Sequence, residues 1–540
     1  MVFRVFVLKL LSFVGIILVC LIVLSYNWPN MVAKFLPHNR KLCDYDEQLL
    51  FLSCQVDRNL LYMKFKWFFY FLTIFQTKKK KGENKKMEKI KQFFKFEERG
   101  ANLRAEILGG IVTFLAMSYI LIVNPLIVSG APGGIPYGGV FFATCVGSFA
   151  ATLVMALLAN LPVALAPGMG VNAFFVGIII GQYGYTWQEA LALSFIGGVI
   201  FLIISLTPIR RKLIDAIPDS LKAAIGVGIG FFIAFVGLKL SGIFVWDGMQ
   251  LSLGDLTNPA VLLGLFSIIV IFVVHSLKHG ISKFSFIISI VVTALVGLML
   301  GLMGVDGMPA FGKFDYAPLA DVKDVAFVGI IEGFKTVFNQ PFYNTAFLIF
   351  ALLFVDIFDT AGTLVAVGKS AGLEDEEGNI PNLDKALMAD AVGTLISSAL
   401  GTPEITSYVE STTGVQAGAK TGLSSVVVAG LFLISIVLFP IFLLFSHSSV
   451  TVGALVLVGV LMSQQLKEID WSNMTDAITS FIVIAAMLFT SSIADGIAFG
   501  FITYTLIKLV RGEIKEVNPI IWASSILFIV YFALMANLVG

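Results

Sequence analysis

Four carboxylates, Asp356, Asp359, Glu404 and Glu410, stand in stretches of this chain that lie among runs of hydrocarbon. In Phe354-Val355-Asp356-Ile357-Phe358-Asp359-Thr360-Ala361-Gly362-Thr363, the two aspartates are three positions apart and share one helix face. In Leu400-Gly401-Thr402-Pro403-Glu404-Ile405-Thr406-Ser407-Tyr408-Val409-Glu410-Ser411-Thr412-Thr413-Gly414, Gly401 and Pro403 break a helix, and Thr406, Tyr408 and Val409 favour extended backbone. Glu410 then falls where strand gives way to helix. Neither stretch holds a Lys or Arg. A carboxylate at membrane depth costs about 3 kcal/mol on insertion scales, so it needs a task. Proton binding and recognition of substrate N–H donors are one such task, with Glu410 and Asp356 as substrate contacts and Asp356 and Asp359 as the coupling or supporting pair. A carboxylate that caps a half-helix or bonds a threonine hydroxyl is the other.

A second interruption balances the first. Leu161-Pro162-Val163-Ala164-Leu165-Ala166-Pro167-Gly168-Met169-Gly170-Val171-Asn172-Ala173 again reads as a short extended piece followed by a helix start. The Asn172 amide both donates and accepts, which suits a heterocycle edge or a helix cap equally. Non-helical backbone survives at membrane depth only inside protein or beside a water-filled cavity. Broken segments at matching places in two halves mark a transporter's binding site, with half-helix amino termini converging on it. Glu404 at the bend and Asp495 read as structural or access groups. The hydroxyls of Thr402, Thr406, Thr412 and Thr413 read as partners for broken backbone.

The elements around these residues are membrane spans. Of 540 residues, 58% are hydrophobic and 13% charged, against roughly 25% charged in soluble domains. Apolar runs of spanning length fall at about 107–128, 139–159, 163–181, 188–206, 219–240, 258–276 and 283–304. After a mixed, Gly-rich stretch they resume at about 344–368, 386–400, 404–421, 422–445, 448–465, 475–491, 493–511 and 518–538. Basic clusters mark cytoplasmic loops. Lys89–Lys95, Arg210-Arg211-Lys212, Lys278–Lys283, Lys369, Lys420, Lys467 and Lys508–Arg511 are separated by even numbers of these runs. Seven runs precede residue 305, so the second half enters the membrane in the opposite sense, an inverted repeat. One of the eight later runs must then be re-entrant, fused or interfacial. The division is 87–304 for the first repeat, 305–343 for a connecting seam and 344–540 for the second repeat.

The leader stands apart. Residues 10–25 are hydrophobic behind Arg4 and Lys9, and Lys78-Lys79-Lys80-Lys81-Gly82-Glu83 precedes Met87. Lys-Gly-Glu is what a purine-rich ribosome-binding sequence spells when translated. Residues 1–86 are therefore expected to be translated upstream sequence, with the start at Met87, or else an extra anchor with a basic linker. Three of the four cysteines lie here, and only Cys145 lies beyond residue 54, which leaves no disulfide framework or metal cluster for the body. Gly368-Lys369-Ser370 lacks the first glycine of a phosphate loop, and Gly226, Gly228 and Gly230 suit close helix packing. His275 and His279 lack the glutamate of a zinc protease. No nucleophile elbow is present. The chain reads as a non-enzyme without cofactor.

Ala105–Pro125, Ala166–Phe175, Phe354–Thr363, Ser407-Tyr408-Val409-Glu410-Ser411 and Ile493–Phe501 resemble the nucleobase:cation symporter-2 family, above all its azaguanine-type branch of adenine, guanine and hypoxanthine permeases. The likeness runs from about Phe93 to the C-terminus. It implies an all-α seven-plus-seven inverted-repeat transporter with core and gate domains, proton-coupled purine uptake by an elevator-like motion across the cytoplasmic membrane, and a cytoplasmic N-terminus at Met87. It also implies that Asn172, Asp356, Asp359 and Glu410 line or support the purine site. A homodimer is compatible with this reading. Two departures stand out: Pro403-Glu404-Ile405 replaces a Ser/Thr run, and Ala419-Lys420 stands where Gly-Arg is common. A same-fold carrier of xanthine, uracil or an anion is the alternative, although an anion site would favour a basic or uncharged pocket. A channel or membrane scaffold, from another class, would show no saturable, competed uptake.

Overall fold

A computed structural model describes residues 83–539 apart from 131–132, 208–216, 248–249, 278–280, 310–316 and 375–379. The expectations for the leader, including its anchor, lie almost wholly outside these residues. Helix Glu83–Phe93 is followed by α1 (Leu103–Met117), α2 (Ile120–Ser129), α3 (Tyr137–Val154), strand β1 (Leu165–Pro167), the short α4 (Met169–Ala173) and α5 (Trp187–Ser205). Helix α6 (Asp219–Leu240), hairpin β2–β3 (Phe244–Asp247 and Gln250–Leu253), α7 (Pro259–Ser276) and α8 (Ser285–Leu302) complete the first half. The second half runs α9 (Phe342–Ser370), α10 (Leu383–Leu400), β4 (Ile405–Ser407), α11 (Ser411–Gln416) and α12 (Gly422–Ser435). It ends with α13 (Ser448–Met462), α14 (Met474–Phe489), α15 (Ile493–Val510) and α16 (Pro519–Val539).

Among the described residues, nine helices are long and apolar enough to cross a membrane. Their starts are written in capping residues. Asn102 accepts from Arg104 N at the head of α1, Thr186 and Glu189 form a reciprocal capping box on α5, and Asn258 precedes Pro259 on α7. The expected run 422–445 divides into α12 and a separate helix, Phe439–Leu444, which carries Pro440 in its first turn.

Two groups of helices follow from the packing. In one, α3 and α5 both pack on α10, α1 and α3 pack on α12, and α5 packs on α9. In the other, α6 packs on α13, α7 on α13 and α14 on α6. Each contact has a counterpart with the halves exchanged: α3–α12 answers α5–α10, and α7–α13 answers α14–α6. That exchange is the signature of an inverted repeat. Glycines make the second group tight. A Cβ on Gly228 would meet Met487 Sδ at 2.4 Å and one on Gly230 would meet Met462 Cβ at 2.5 Å, so these glycines serve helix packing as expected. The connection between halves is docked rather than free, with Phe327 N donating to Ala399 O at 2.7 Å and Val325 filling the space over Gly139 and Gly401.

Candidate functional site

The two interrupted segments meet. Strands β1 and β4 pair antiparallel, with Leu165 opposite Ser407, Ala166 opposite Thr406 and Pro167 opposite Ile405. The ladder continues past both ends, since Gly168 N donates to Glu404 O and Tyr408 N donates to Ala164 O, each at 3.0 Å. This pairing satisfies backbone that no helix serves. Gly401, at φ +106°, turns the chain out of α10 and into the strand. A Cβ on Gly168 would come within 2.9 Å of Thr406, so glycine is needed where the strands cross. Tyr408 fixes the crossing with its hydroxyl, which donates to Pro167 O at 2.6 Å. Thr412 and Thr413 donate to the carbonyls of Val409 and Glu410, the backbone role expected of them.

A narrow cavity of about 30 Å³ opens beside the crossing. Its polar wall is Asp359 and Thr363 from α9 with Thr406, Ser407 and Glu410 from the β4–α11 segment. Met169, Ile233 of α6, and Val458 and Met462 of α13 supply apolar surface. Glu410 receives a 2.6 Å hydrogen bond from the Tyr119 hydroxyl, and the Tyr119 ring stacks on Phe286 at 5.7 Å between centroids. Tyr119 also lines the cavity, and Ser407 Oγ is buried in the wall with no hydrogen-bond partner among the described residues. Sequence reasoning passed over Tyr119. A hydroxyl within an apolar run was its only signal, and the partner lies 291 residues away.

Asp356 and Asn172 stand behind the wall and do not line this cavity. Asp356 accepts from Thr394 Oγ1 at 3.3 Å and faces Asp390 of α10, a buried carboxyl that sequence reading also missed. Asp390 stands in a run of small residues, Ala389, Ala391 and Gly393, and the rule applied to Asp356 would have found it. Asn172 Nδ2 donates to Asn124 Oδ1 at 2.6 Å, and Asn124 donates in turn to the hydroxyls of Thr144 and Thr402. Asn172 therefore belongs to a buried side-chain network that ties α4 to α2, α3 and the α10–β4 turn. Asp495 sits in the first turn of α15, where its amide is capped by Ser492. Among the described residues, no ion pair includes Asp356, Asp359, Asp390, Glu404 or Glu410, and no group of His, Cys, Asp and Glu is placed to hold a metal.

Residues 104–499 match the Xan_ur_permease model of the permease family. The chain belongs to the nucleobase:cation symporter-2 permease family. It is 40% identical to the guanine/hypoxanthine permease PbuG of Bacillus subtilis over 82% of this chain and 99% of that protein. It is 37% identical to the adenine permease AdeP of Escherichia coli over 82% of this chain and 95% of that one. In fold it is similar to the transmembrane domain of the cyanobacterial bicarbonate transporter BicA, with a TM-score of 0.55, 17% identity, and coverage of 73% of this chain and 97% of that domain. Such permeases share an inverted-repeat fold with core and gate domains, so the chain is a multi-pass membrane transporter and not an enzyme. In this permease the crossing and its carboxylates lie on the α1–α5 and α9–α12 group, and α6 and α13 close the cavity from the other.

Proposed function

We propose that this permease carries purine nucleobases (adenine, guanine or hypoxanthine) across the cytoplasmic membrane together with a proton. The observation that carries the reading is the cavity at the strand crossing, where Glu410 and Asp359 face a space walled by apolar side chains and without a Lys or Arg among its lining. The names of the relatives support the purine choice. A neutral heterocycle edge presents N–H donors, and carboxylates are acceptors matched to them. The Ser407 hydroxyl can donate to or accept from a ring nitrogen or exocyclic group. Met169, Ile233, Val458 and Met462 cover the faces of the ring.

Each residue has a role in this account. Glu410, oriented by Tyr119, takes the purine N–H edge. Asp359 lines the same cavity and makes the second contact, while Asp356 supports it from behind and takes part in proton coupling. Asn172 braces the α4 side through Asn124. A proton neutralises a carboxylate that has no cation beside it, which links its charge to loading. The repeats, 87–304 and 344–540 joined across 305–343, divide into a core that holds the base and a gate containing α6 and α13. Elevator-like displacement of one against the other exposes the site alternately. Met87 begins on the cytoplasmic side in this arrangement.

Uptake of labelled adenine by cells expressing the chain, competed by guanine, hypoxanthine, xanthine and uracil, tests the substrate class. Competition by guanine or hypoxanthine is expected, and competition confined to xanthine or uracil overturns the reading. A protonophore should collapse uptake within minutes; uptake indifferent to it removes the proton.

A further inference from the structure

Glu404 is a carboxylate without a place in that account. It is 0% exposed, and among the described residues neither of its side-chain oxygens has a hydrogen-bond partner. It does not line the cavity, and it immediately precedes β4. Its neighbours are Asp356 of α9, within electrostatic reach, and Gly197 of α5, where a Cβ would approach Glu404 Oε1 at 3.3 Å. Asp356 in turn faces Asp390, whose oxygens reach Asp356 and Thr360 but make no well-aligned hydrogen bond. Asp390 is also 0% exposed and Asp356 1% exposed.

Among the described residues, the surrounding elements offer no counter-charge. From α9 the groups facing this pocket are Asp356 and, towards the cavity, Asp359, because Lys369 sits at the exposed end of the helix beside Glu374. From α10 it is Asp390, with Asp384 and Lys385 in the helix's first turn. The carboxylate of α5, Glu189, is spent on the capping box at that helix's start. Helix α3 carries no Asp, Glu, Lys or Arg, and its titratable groups are Tyr137 and the buried thiol Cys145. Among the described residues, three buried carboxyl groups thus stand together with one well-formed hydrogen bond, from Thr394 to Asp356 at 3.3 Å. Burying an unpaired charge in such a space is far more costly than burying a neutral acid. Neighbouring carboxyls relieve that cost by sharing a proton.

We propose that Glu404, Asp356 and Asp390 form a proton-holding site of their own, separate from the carboxylates that face the substrate. Asp356 is its link to the cavity, three residues from Asp359 on the same helix. The site deepens the proton half of the transport reading and rests on it for its purpose. Its ligand is the proton, since the three carboxyls are not placed as metal ligands.

Infrared difference spectroscopy on the full chain in lipid, through an alkaline jump, reads the site directly. Wild type should lose a protonated-carboxyl C=O band, and E404Q should lack one component of that band and release one proton fewer per chain. E404D, which keeps the acid, should regain the component at a shifted frequency. Purine binding by E404Q reports that it is folded. An unchanged band and proton count in E404Q overturn the proposal, as does a spectrum that responds to sodium and not to pH. Failure of wild type to bind purines would instead unseat the transport reading and leave the proton count to decide this one.

Discussion

Glu410 and Asp359 share a cavity, but their surroundings differ. Glu410 is held by the Tyr119 hydroxyl, whereas Asp359 lies beside Thr406. Glu410→Gln replaces an acceptor with an amide that places a donor against the purine N–H edge. A hydrogen bond to a charged group contributes about 1.5–3 kcal/mol, so purine affinity should fall by about 10- to 100-fold or more. Labelled uptake normalised to membrane abundance checks this, and wild-type uptake would end the assignment. Tyr119→Phe keeps the ring that stacks on Phe286 and removes only the O–H. It should raise the KM for purine by roughly 10-fold while leaving the thermal midpoint in detergent nearly unmoved. A loss of folding without a change in KM would make Tyr119 a packing residue instead.

At the scale of elements, the crossing depends on close backbone approach. A Cβ on Gly414 would lie 2.0 Å from Thr113 Oγ1 and 2.5 Å from the Gly109 carbonyl oxygen, and backbone cannot step aside as a side chain can. Gly414→Ala should therefore cost about 1–3 kcal/mol through overpacking. It should also displace Glu410, four residues upstream. A thermal-shift measurement beside uptake tests both, and a wild-type midpoint would show that α1 and α11 have slack. The elements themselves were legible in the sequence. The run at 219–240 coincides with α6 because Pro218 starts it and Gly242, at φ +72°, follows its end. The broken segments announced themselves by Pro and Gly, and their matching positions pointed to one site. Their register was not legible: a three-residue strand has no periodicity to read, and its partner is chosen by tertiary packing. Nor could spacing on α9 say which aspartate faces the cavity, since two residues of one helix face can look towards different neighbours.

For the molecule as a whole, the exchange of contacts between halves makes each half incomplete alone. β1 has no strand partner without β4, and α6 has no α13. Cutting the chain between Asp306 and Gly307, both exposed, should yield two fragments that restore purine uptake when expressed together and give none singly. Absence of uptake from the pair, with both fragments in the membrane, would mean that the docked connection across Phe327 and Ala399 is itself required.

The strand crossing also has a consequence for synthesis. Ala164 N finds its acceptor in the Ser411 hydroxyl, 247 residues later in the chain. At about 5–20 residues per second, the ribosome leaves β1 waiting for tens of seconds before its partner exists. During that interval the nascent first half carries bare amides and carbonyls at membrane depth, the kind of surface that insertion and quality-control machinery would detect. Substitutions in β4 should therefore shorten the lifetime of the newly made chain as well as weaken the finished site, and pulse-chase labelling would separate the two effects.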